Sequence, residues 1–451
     1  MQMSQENFHE LLLCPRCLAA KIDDKYHCRD CDLSLPEANG LPWHSPLPEA
    51  AIADWKAHFL AYLHSLDDEV DRMNEALGGS LSAATGLRIK NLVAAKKAHA
   101  QEVLEFFKYL PLAYRDDTVP HALLGSQIPL GQNLVGYYHN AHRDWAWGKA
   151  ENEASVELLS RALGKASSVG DIAVIGSGAG RLAYDLGERL SPDRLFLVDL
   201  NPLLQVVARK MFSGEAASLH EFPIAPLSSA VSSVATKLNS PGAFSGKFEI
   251  LVANALQPIF APESLDTILT PWFVDIIPEP PSYLFELLNS QLKIGGRYVC
   301  LGSLAFQFPS PAWNLSPEEF DSALIDAGFK ILKVEEARIP YMQSPHSAHG
   351  RIENVRVVVA EKISSREAPK RKPSEPNWII DTSLPVPLQF SGLKALHSIP
   401  LEILESVDGK RSIDAIAREV LLKNYSMTLE DSLAALRNFF RAQASKVAVR
   451  G

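Results

Sequence analysis

A short apolar run that breaks into three glycines at alternate positions and then turns helical leaves a chain few ways to fold. Residues 171 to 187, DIAVIGSGAGRLAYDLG, have this form: a strand from Asp171, then Gly176, Gly178 and Gly180, then an amphipathic helix. Glycines in such a turn let the backbone reverse sharply and approach a ligand closely. Five further apolar runs follow at intervals filled by helical sequence: Leu195 to Val198, Ile250 to Ala253, Thr267 to Leu269, Tyr298 to Leu301 and Val355 to Ala360. Alternation of this kind predicts an α/β fold, a doubly wound Rossmann-like sheet with crossover helices.

The glycine spacing also narrows the ligand. A dinucleotide fingerprint wants its third glycine where this chain has Arg181, and no Walker lysine is present. Asp199 closes the next strand, where a carboxylate takes both hydroxyls of a ribose. A glycine loop with a strand-end acid suits S-adenosylmethionine, which carries a ribose but no pyrophosphate. The pattern therefore predicts cofactor contacts from Gly176, Gly178, Gly180 and Asp199. His142-Arg143-Asp144 resembles a kinase catalytic loop only superficially, because the asparagine that motif needs is replaced by Lys149.

Four of the 5 cysteines fall near the start, as Cys14-Pro-Arg-Cys17 and Cys28-Arg-Asp-Cys31. Two C-x-x-C knuckles aim four thiolates at one ion, the donor set of a structural zinc with no open coordination position. From Ala51 to Phe107 apolar residues recur three or four apart, beginning Trp55, Phe59, Tyr62 and Leu66, and predict a helical subdomain broken at Gly78-Gly79. The charged, Pro-rich stretch that begins at Ile363 reads as a linker. Beyond it an extended segment runs to Gln389, and three short helices follow, with Ser412 and Thr428-x-x-Asp431 as helix starts. The expected organisation is a zinc ribbon over 1–48, a helical subdomain over 49–135, the sheet domain over 136–362, a linker over 363–377 and a small, mostly helical, winged-helix-like domain over 378–451.

With 451 residues, 47% of them hydrophobic and 22% charged, the chain has ordinary globular composition, which excludes fibrous and wholly disordered classes. Its net charge of −9 works against non-specific attraction to nucleic acid. The polar start, MQMSQENFHE, is not a signal peptide, and no window has the ~18 apolar residues of a membrane span. These features predict a soluble, cytoplasmic protein with no membrane partner.

Arg143-Asp144-Trp145, then GSGAGRLAYDLG, then TPWFVD over Thr270 to Asp275, then LKIGGRYVCLGSL over Leu292 to Leu304, together resemble the carnosine N-methyltransferase family across Tyr137 to Lys362. The resemblance implies a class I methyltransferase that uses S-adenosylmethionine, with Arg143 and Asn140 on the cofactor. It places Asn254 where the family has an acid near the adenine, after what is read as the fourth strand; Trp272 is read either as packing or as stacking on that ring. It matches Asp275 to the family's aspartate that orients the imidazole being methylated. The family's next histidine is here Gln307, and an aromatic cluster before the last strand is here Arg351-Ile352-Glu353-Asn354. The fold and cofactor transfer; the exact acceptor does not. Tyr341, His346 and His349 fall in a segment placed to cover the pocket, while Cys300 reads as core.

The first module resembles the zinc ribbons ahead of bacterial rRNA guanine methyltransferase domains, and the last resembles PqqD-like peptide-recognition winged helices, through Asp408-Gly409 and a helix pattern. The expected function is methylation of an imidazole or amine nitrogen in a small molecule or short peptide, with Asp275 and Gln307 serving the acceptor. Two enzyme alternatives follow from the flanking modules: a peptide- or protein-modifying methyltransferase recruited through the C-terminal domain, and an RNA methyltransferase guided by the ribbon. The acidic balance opposes the last, as does the lack of an Asn-Pro-Pro-Tyr-type motif at Asn254, where Ala255-Leu256-Gln257 follows. A non-catalytic binding protein is the fourth reading, carried by Gln307 and the missing aromatics.

Overall fold

The computed structural model describes residues 8–19, 21–46, 48–108, 134–164, 169–277, 279–308, 310–369, 383–386, 398–424 and 427–448. The end of the expected helical subdomain, most of the linker and most of the extended stretch after it lie outside the described residues. The chain divides into two compact units. One comprises Met1–Pro48, Phe59–Leu112 and Asn133–Pro369; the other comprises Glu49–His58, Ala113–Gln132 and Lys370–Gly451.

The first unit opens with four short strands, β1 (His27–Cys28), β2 (Leu33–Ser34), β3 (Glu37–Ala38) and β4 (Leu41–His44). Two long helices follow, α1 (Pro48–Leu77), of which Glu49–His58 belongs to the second unit, and α2 (Ala83–Phe107), broken at Gly78-Gly79 as the sequence predicts. The Ser82 hydroxyl caps α2 by accepting the Thr85 N–H. A short helix α3 (Tyr138–His142) runs into a π-helical turn, Arg143–Trp147, and then α4 (Lys149–Leu163).

The alternating region begins with β5 (Asp171–Ile175), α5 (Arg181–Leu190), β6 (Arg194–Asp199) and α6 (Pro202–Phe212). A hairpin, β7 (Ala216–Glu221) with β8 (Val234–Asn239), precedes β9 (Phe248–Ala253). The rest is β10 (Leu265–Pro271), α7 (Pro281–Gln291), β11 (Leu292–Gly302), α8 (Pro317–Asp326), β12 (Phe329–Tyr341) and β13 (Arg351–Lys362). The large sheet has nine strands in the order β12-β13-β11-β10-β5-β6-β9-β4-β3. From β11 through β4 every pairing is parallel; β13, β12 and β3 join antiparallel. This is a mixed α/β fold with a large, mostly parallel sheet of the Rossmann-like kind.

Burial explains the pattern. β5 is buried at every position, as a strand covered on both faces must be. The apolar core around Phe196, Leu251, Phe260, Phe285 and Tyr298 also takes in Leu12, Leu33 and the buried Cys14 and Cys28. The cysteine-bearing segment therefore shares one core with the sheet, and its strand β4 extends that sheet beside β9, pairing Trp43 with Val252 and His44 with Ala253.

Two expectations about the strands need correction. The last strands are antiparallel rather than parallel, and β9 is the third of the alternating strands in chain order, with β10 the fourth. The test for an Asn-Pro-Pro-Tyr-type motif thus belongs at Thr270-Pro271-Trp272-Phe273, not at Asn254. Thr270 is buried there, and its hydroxyl bonds the Tyr298 hydroxyl at 2.8 Å, so no side-chain amide faces a substrate at that position.

In the second unit, α9 (Ser398–Glu405), α10 (Ile413–Ile416, extended through a π turn and Leu422–Asn424) and α11 (Leu429–Ala448) enclose a separate apolar core that includes Ile403, Ile416, Leu436 and Phe440. The Ser412 hydroxyl accepts the Ala415 N–H and the Thr428 hydroxyl accepts the Asp431 N–H, the two predicted helix starts.

Candidate active site

Ligands of doubly wound sheets bind at the carboxyl ends of the parallel strands. The end of β5 is the glycine loop. Gly176 has φ +73°, and a Cβ there would lie 2.4 Å from the Phe273 ring, so this position admits only glycine. Gly180 begins α5 at φ +88°, packed against Leu197 and Ala208. Beside Gly178, by contrast, a Cβ would meet nothing within 4 Å. The loop is open on that side.

Asp199, at the end of β6, faces the loop. The Gly178 N–H donates to its Oδ2 at 2.9 Å and the Asn201 N–H to its Oδ1 at 2.8 Å. Two bonds leave lone pairs on both oxygens, since a carboxylate accepts about four. Burial pushes its carboxyl above the usual carboxylate range, and among the described residues no cation pairs with it. Asn254 follows β9, one strand further on; its side-chain oxygen accepts the Leu256 N–H at 3.0 Å.

The Arg143–Trp147 turn is clamped onto this loop. Trp145 Nε1 donates to the Ala179 carbonyl at 2.7 Å, and Arg181, the residue that displaces a dinucleotide glycine, reaches the Asp144 carbonyl at 3.3 Å. Arg143 is buried between two carboxylates, donating from Nε to Asp144 at 2.7 Å and from Nη1 to Glu151 at 3.2 Å. The other Glu151 oxygen accepts the Met342 N–H at 2.8 Å, which ties the segment after β12 to the same ion pair. Of the five N–H donors of a guanidinium, these contacts and a second one to Asp144 use three. Asn140 lies on α3, half-buried, three residues before Arg143.

Past β10, Trp272 has φ +51°, a left-handed conformation costly for a bulky residue and most common at functional turns. Its N–H donates to the Leu301 carbonyl at 2.6 Å, and its ring meets Tyr341 at 4.7 Å between centroids. The expectation that Trp272 stacks on an adenine beside Asn254 does not fit the sheet order. β10 and β9 are three strand spacings apart, about 14 Å, so Trp272 stands on the opposite side of the glycine loop.

Asp275 follows three residues later. Its Oδ2 accepts the Ala305 N–H at 3.0 Å, which couples the turn after β10 to the segment after β11. Burial, opposed by that bond and reinforced by the charge of Glu353, raises its carboxyl above the usual range. Gln307 lies two residues beyond Ala305 and is exposed. Tyr341 is half-buried between Trp272 and Arg351, whose guanidinium carbon sits 4.5 Å over its ring; His346 is half-buried and His349 exposed. Cys300 is buried in β11, its thiol pushed up to about 12 by burial, as a core residue should be.

Three contributors escaped the sequence reading. Glu151 is a buried acid on a helix that otherwise looks solvated, and only its eight-residue offset from Arg143 hinted at a partner. Phe273 fills the space that Gly176 leaves. Gln205 is fully buried on α6, its Nε2 donating to the Ser177 hydroxyl at 3.0 Å while its Oε1 has no partner among the described residues.

The four cysteines converge as predicted. Cys14 and Cys31 Sγ lie 3.6 Å apart and Cys17 and Cys28 Sγ 3.8 Å apart, with all four within 4.8 Å of one another. A tetrahedron of Zn–S bonds near 2.3 Å has edges of about 3.8 Å, so the donor set fits that ion.

No family model and no curated protein matches the chain. Solved structures similar to it include a protein described in the conversion of a disulfide bond into a thioacetal group during echinomycin biosynthesis, at 16% identity over 51% of this chain and 89% of that one, with a TM-score of 0.34. A SAM-dependent methyltransferase from Aquifex aeolicus is 13% identical over 49% of this chain and 93% of that one, TM-score 0.31. Geranyl diphosphate C-methyltransferase from Streptomyces coelicolor, solved with S-adenosyl-L-homocysteine, is 14% identical over 47% and 79%, TM-score 0.30. At these values the chemistry of the chain rests on its own residues. Among the described residues no helix is long and apolar enough to cross a membrane.

Proposed function

We propose that the chain is an S-adenosylmethionine-dependent N-methyltransferase acting on an imidazole or amine nitrogen of a small molecule or short peptide. The observation that carries the reading is the pairing of Gly178 with Asp199: an open glycine turn whose N–H orients a half-buried carboxylate that has lone pairs to spare and no paired cation among the described residues. That is a seat for a ribose and not for a phosphate. Gly176, Gly178, Gly180 and Asp199 would hold the cofactor, with Asn254 toward its base and Asn140 and Arg143 on the clamped segment. The buried Gln205 oxygen adds an acceptor beside Ser177. The cofactor supplies an electrophilic methyl on a sulfonium.

The rest falls to the acceptor side. Methylation places positive charge on the acceptor nitrogen, so a fixed carboxylate is the group to have there. Asp275, oriented by the Ala305 N–H, accepts the remote N–H of an imidazole and aims the opposite lone pair. Trp272 and Tyr341 wall the site against water, and Gln307 stands at its outer edge. Calorimetry tests the cofactor half directly: the protein binds S-adenosylmethionine, and Asp199→Ala abolishes measurable binding. An Asp199→Ala protein that binds as tightly as wild type rules the site out.

A peptide- or protein-modifying reading is supported by the three C-terminal helices, which enclose an apolar core of their own. Removing residues 370–451 separates the two. Loss of transfer to a His-containing peptide with full transfer to carnosine supports recruitment; equal transfer to both removes it.

A further inference from the structure

The four-cysteine segment touches the expected nucleoside side of the cofactor site at three places. Leu11 to Leu13, which lead directly into Cys14, run antiparallel to Ile259 to Ala261: the Leu13 N–H donates to the Ile259 carbonyl at 2.9 Å and the Ala261 N–H to the Leu11 carbonyl at 2.7 Å. That is the loop that leaves Asn254. β4 lies beside β9, and buried His44 at its end donates from Nε2 to the Leu13 carbonyl at 2.8 Å. Tyr26, between the two knuckles, donates its hydroxyl to Glu249 near the start of β9. The start of β9, its end and the loop after it are thus held by residues close in sequence to the cysteines or, for β4, by a strand bonded to the residue before Cys14.

The regular secondary structure of the loop that carries the cysteines is slight. β1 and β2 are two residues each, too short to be stable alone. A metal that closes the loop between Cys14 and Cys31 adds a fixed point to the packing of Leu12, Cys14, Cys28 and Leu33 on the sheet, and its binding free energy becomes folding free energy for whatever it fixes. We infer that the four-cysteine site is a positioning element for the cofactor strand: metal on Cys14, Cys17, Cys28 and Cys31 fixes Leu11 to Leu13 and Tyr26, and through them β9 and the 254–261 loop. Metal occupancy then sets affinity for the nucleoside end of the cofactor. The inference rests on the cofactor reading above, and it gives the cysteine module a task inside the enzyme core rather than in recognising RNA.

The test uses the full chain, with zinc content measured by mass spectrometry, amide hydrogen exchange followed over residues 248–261, and S-adenosylmethionine affinity measured by calorimetry. Zinc removal by chelation and the Cys31→Ser variant are expected to speed exchange across 248–261 and weaken the cofactor by about tenfold, the scale of a lost supporting contact. Zinc-free protein that keeps those amides protected and binds within about twofold of wild type overturns the inference. Where Cys31→Ser unfolds the whole unit, Tyr26→Phe decides, because it keeps the cysteines and the ring: full zinc with faster β9 exchange and weaker binding supports the inference, and no change in either contradicts it. If wild type binds no S-adenosylmethionine, calorimetry reports failure of the cofactor reading, while the exchange measurement still decides whether the metal holds the strand.

Discussion

The proposed function gives Asp199 and Asp275 different work, and their surroundings differ accordingly. Asp199 accepts one backbone N–H from the glycine loop and one from Asn201, whereas Asp275 accepts one from Ala305 and has a neighbouring carboxylate, Glu353, that opposes its ionisation. The first arrangement suits hydroxyls; the second suits a partially positive N–H. Asp275→Asn keeps the shape and removes the charge. It is expected to lower methyl transfer by about 10²–10³ while leaving cofactor affinity within a few-fold, as for the loss of one positioned electrostatic group. Burial and Glu353 both favour the protonated form, and only the ionised form can stabilise a developing cation. The wild-type kcat/KM therefore falls on the acid side at a pH above the ordinary aspartate range, and the Asn variant loses that limb, keeping only the acceptor's own titration. Unchanged turnover in Asp275→Asn removes this residue from the chemistry.

The elements that carry the site were the most legible part of the sequence, and the reason is burial. β5 and the inner part of β6 are covered on both faces and read as unbroken apolar runs; the glycine loop between β5 and α5 has few alternatives. β12 escaped because it is an edge strand, Phe329 to Tyr341, with charged side chains alternating toward water, the composition that protects an edge from pairing further. The β7–β8 hairpin escaped for the same reason: Leu219 and Leu238 are its fully buried apolar residues, too few to make a period. β4 was hidden by length, four residues with a proline among them. Asp199 could be placed from spacing alone, whereas the remoteness of Trp272 from Asn254 depends on strand order, which no local pattern encodes. The ion pair of Arg143 with Glu151 lies at the same scale, since it joins the turn before α4, α4 itself and the end of β12. Glu151→Ala removes a charge-assisted bond while Asp144 still pairs with Arg143, so the expected loss is about 2–3 kcal/mol in denaturant unfolding. A loss near zero would mean that the Met342 segment is held by other contacts.

At the scale of the molecule, one sheet joins the cysteine segment, the glycine loop and the turns after β10 and β11, and one half-buried acid reports on how the cysteine segment meets the sheet. Glu249 on β9 accepts from Tyr26, and burial pushes its carboxyl up to about 7. A raised folded value means that the native protein holds a proton the unfolded chain has released. Stability from this group is fully present below the unfolded glutamate range and lost as pH rises through about 7. Glu249→Gln is expected to flatten that part of the stability-pH curve, read as melting temperature between acidic and neutral buffers; a curve parallel to wild type contradicts the assignment. Methyl transfer itself can be followed by label. Labelled methyl from S-adenosylmethionine is supplied with cell lysate separated into small-molecule, peptide and RNA fractions, with carnosine and a His-containing peptide as added acceptors. The account predicts label in the small-molecule or peptide fraction and its loss with Asp275→Asn; label confined to RNA, or none in any fraction while cofactor binds, contradicts it.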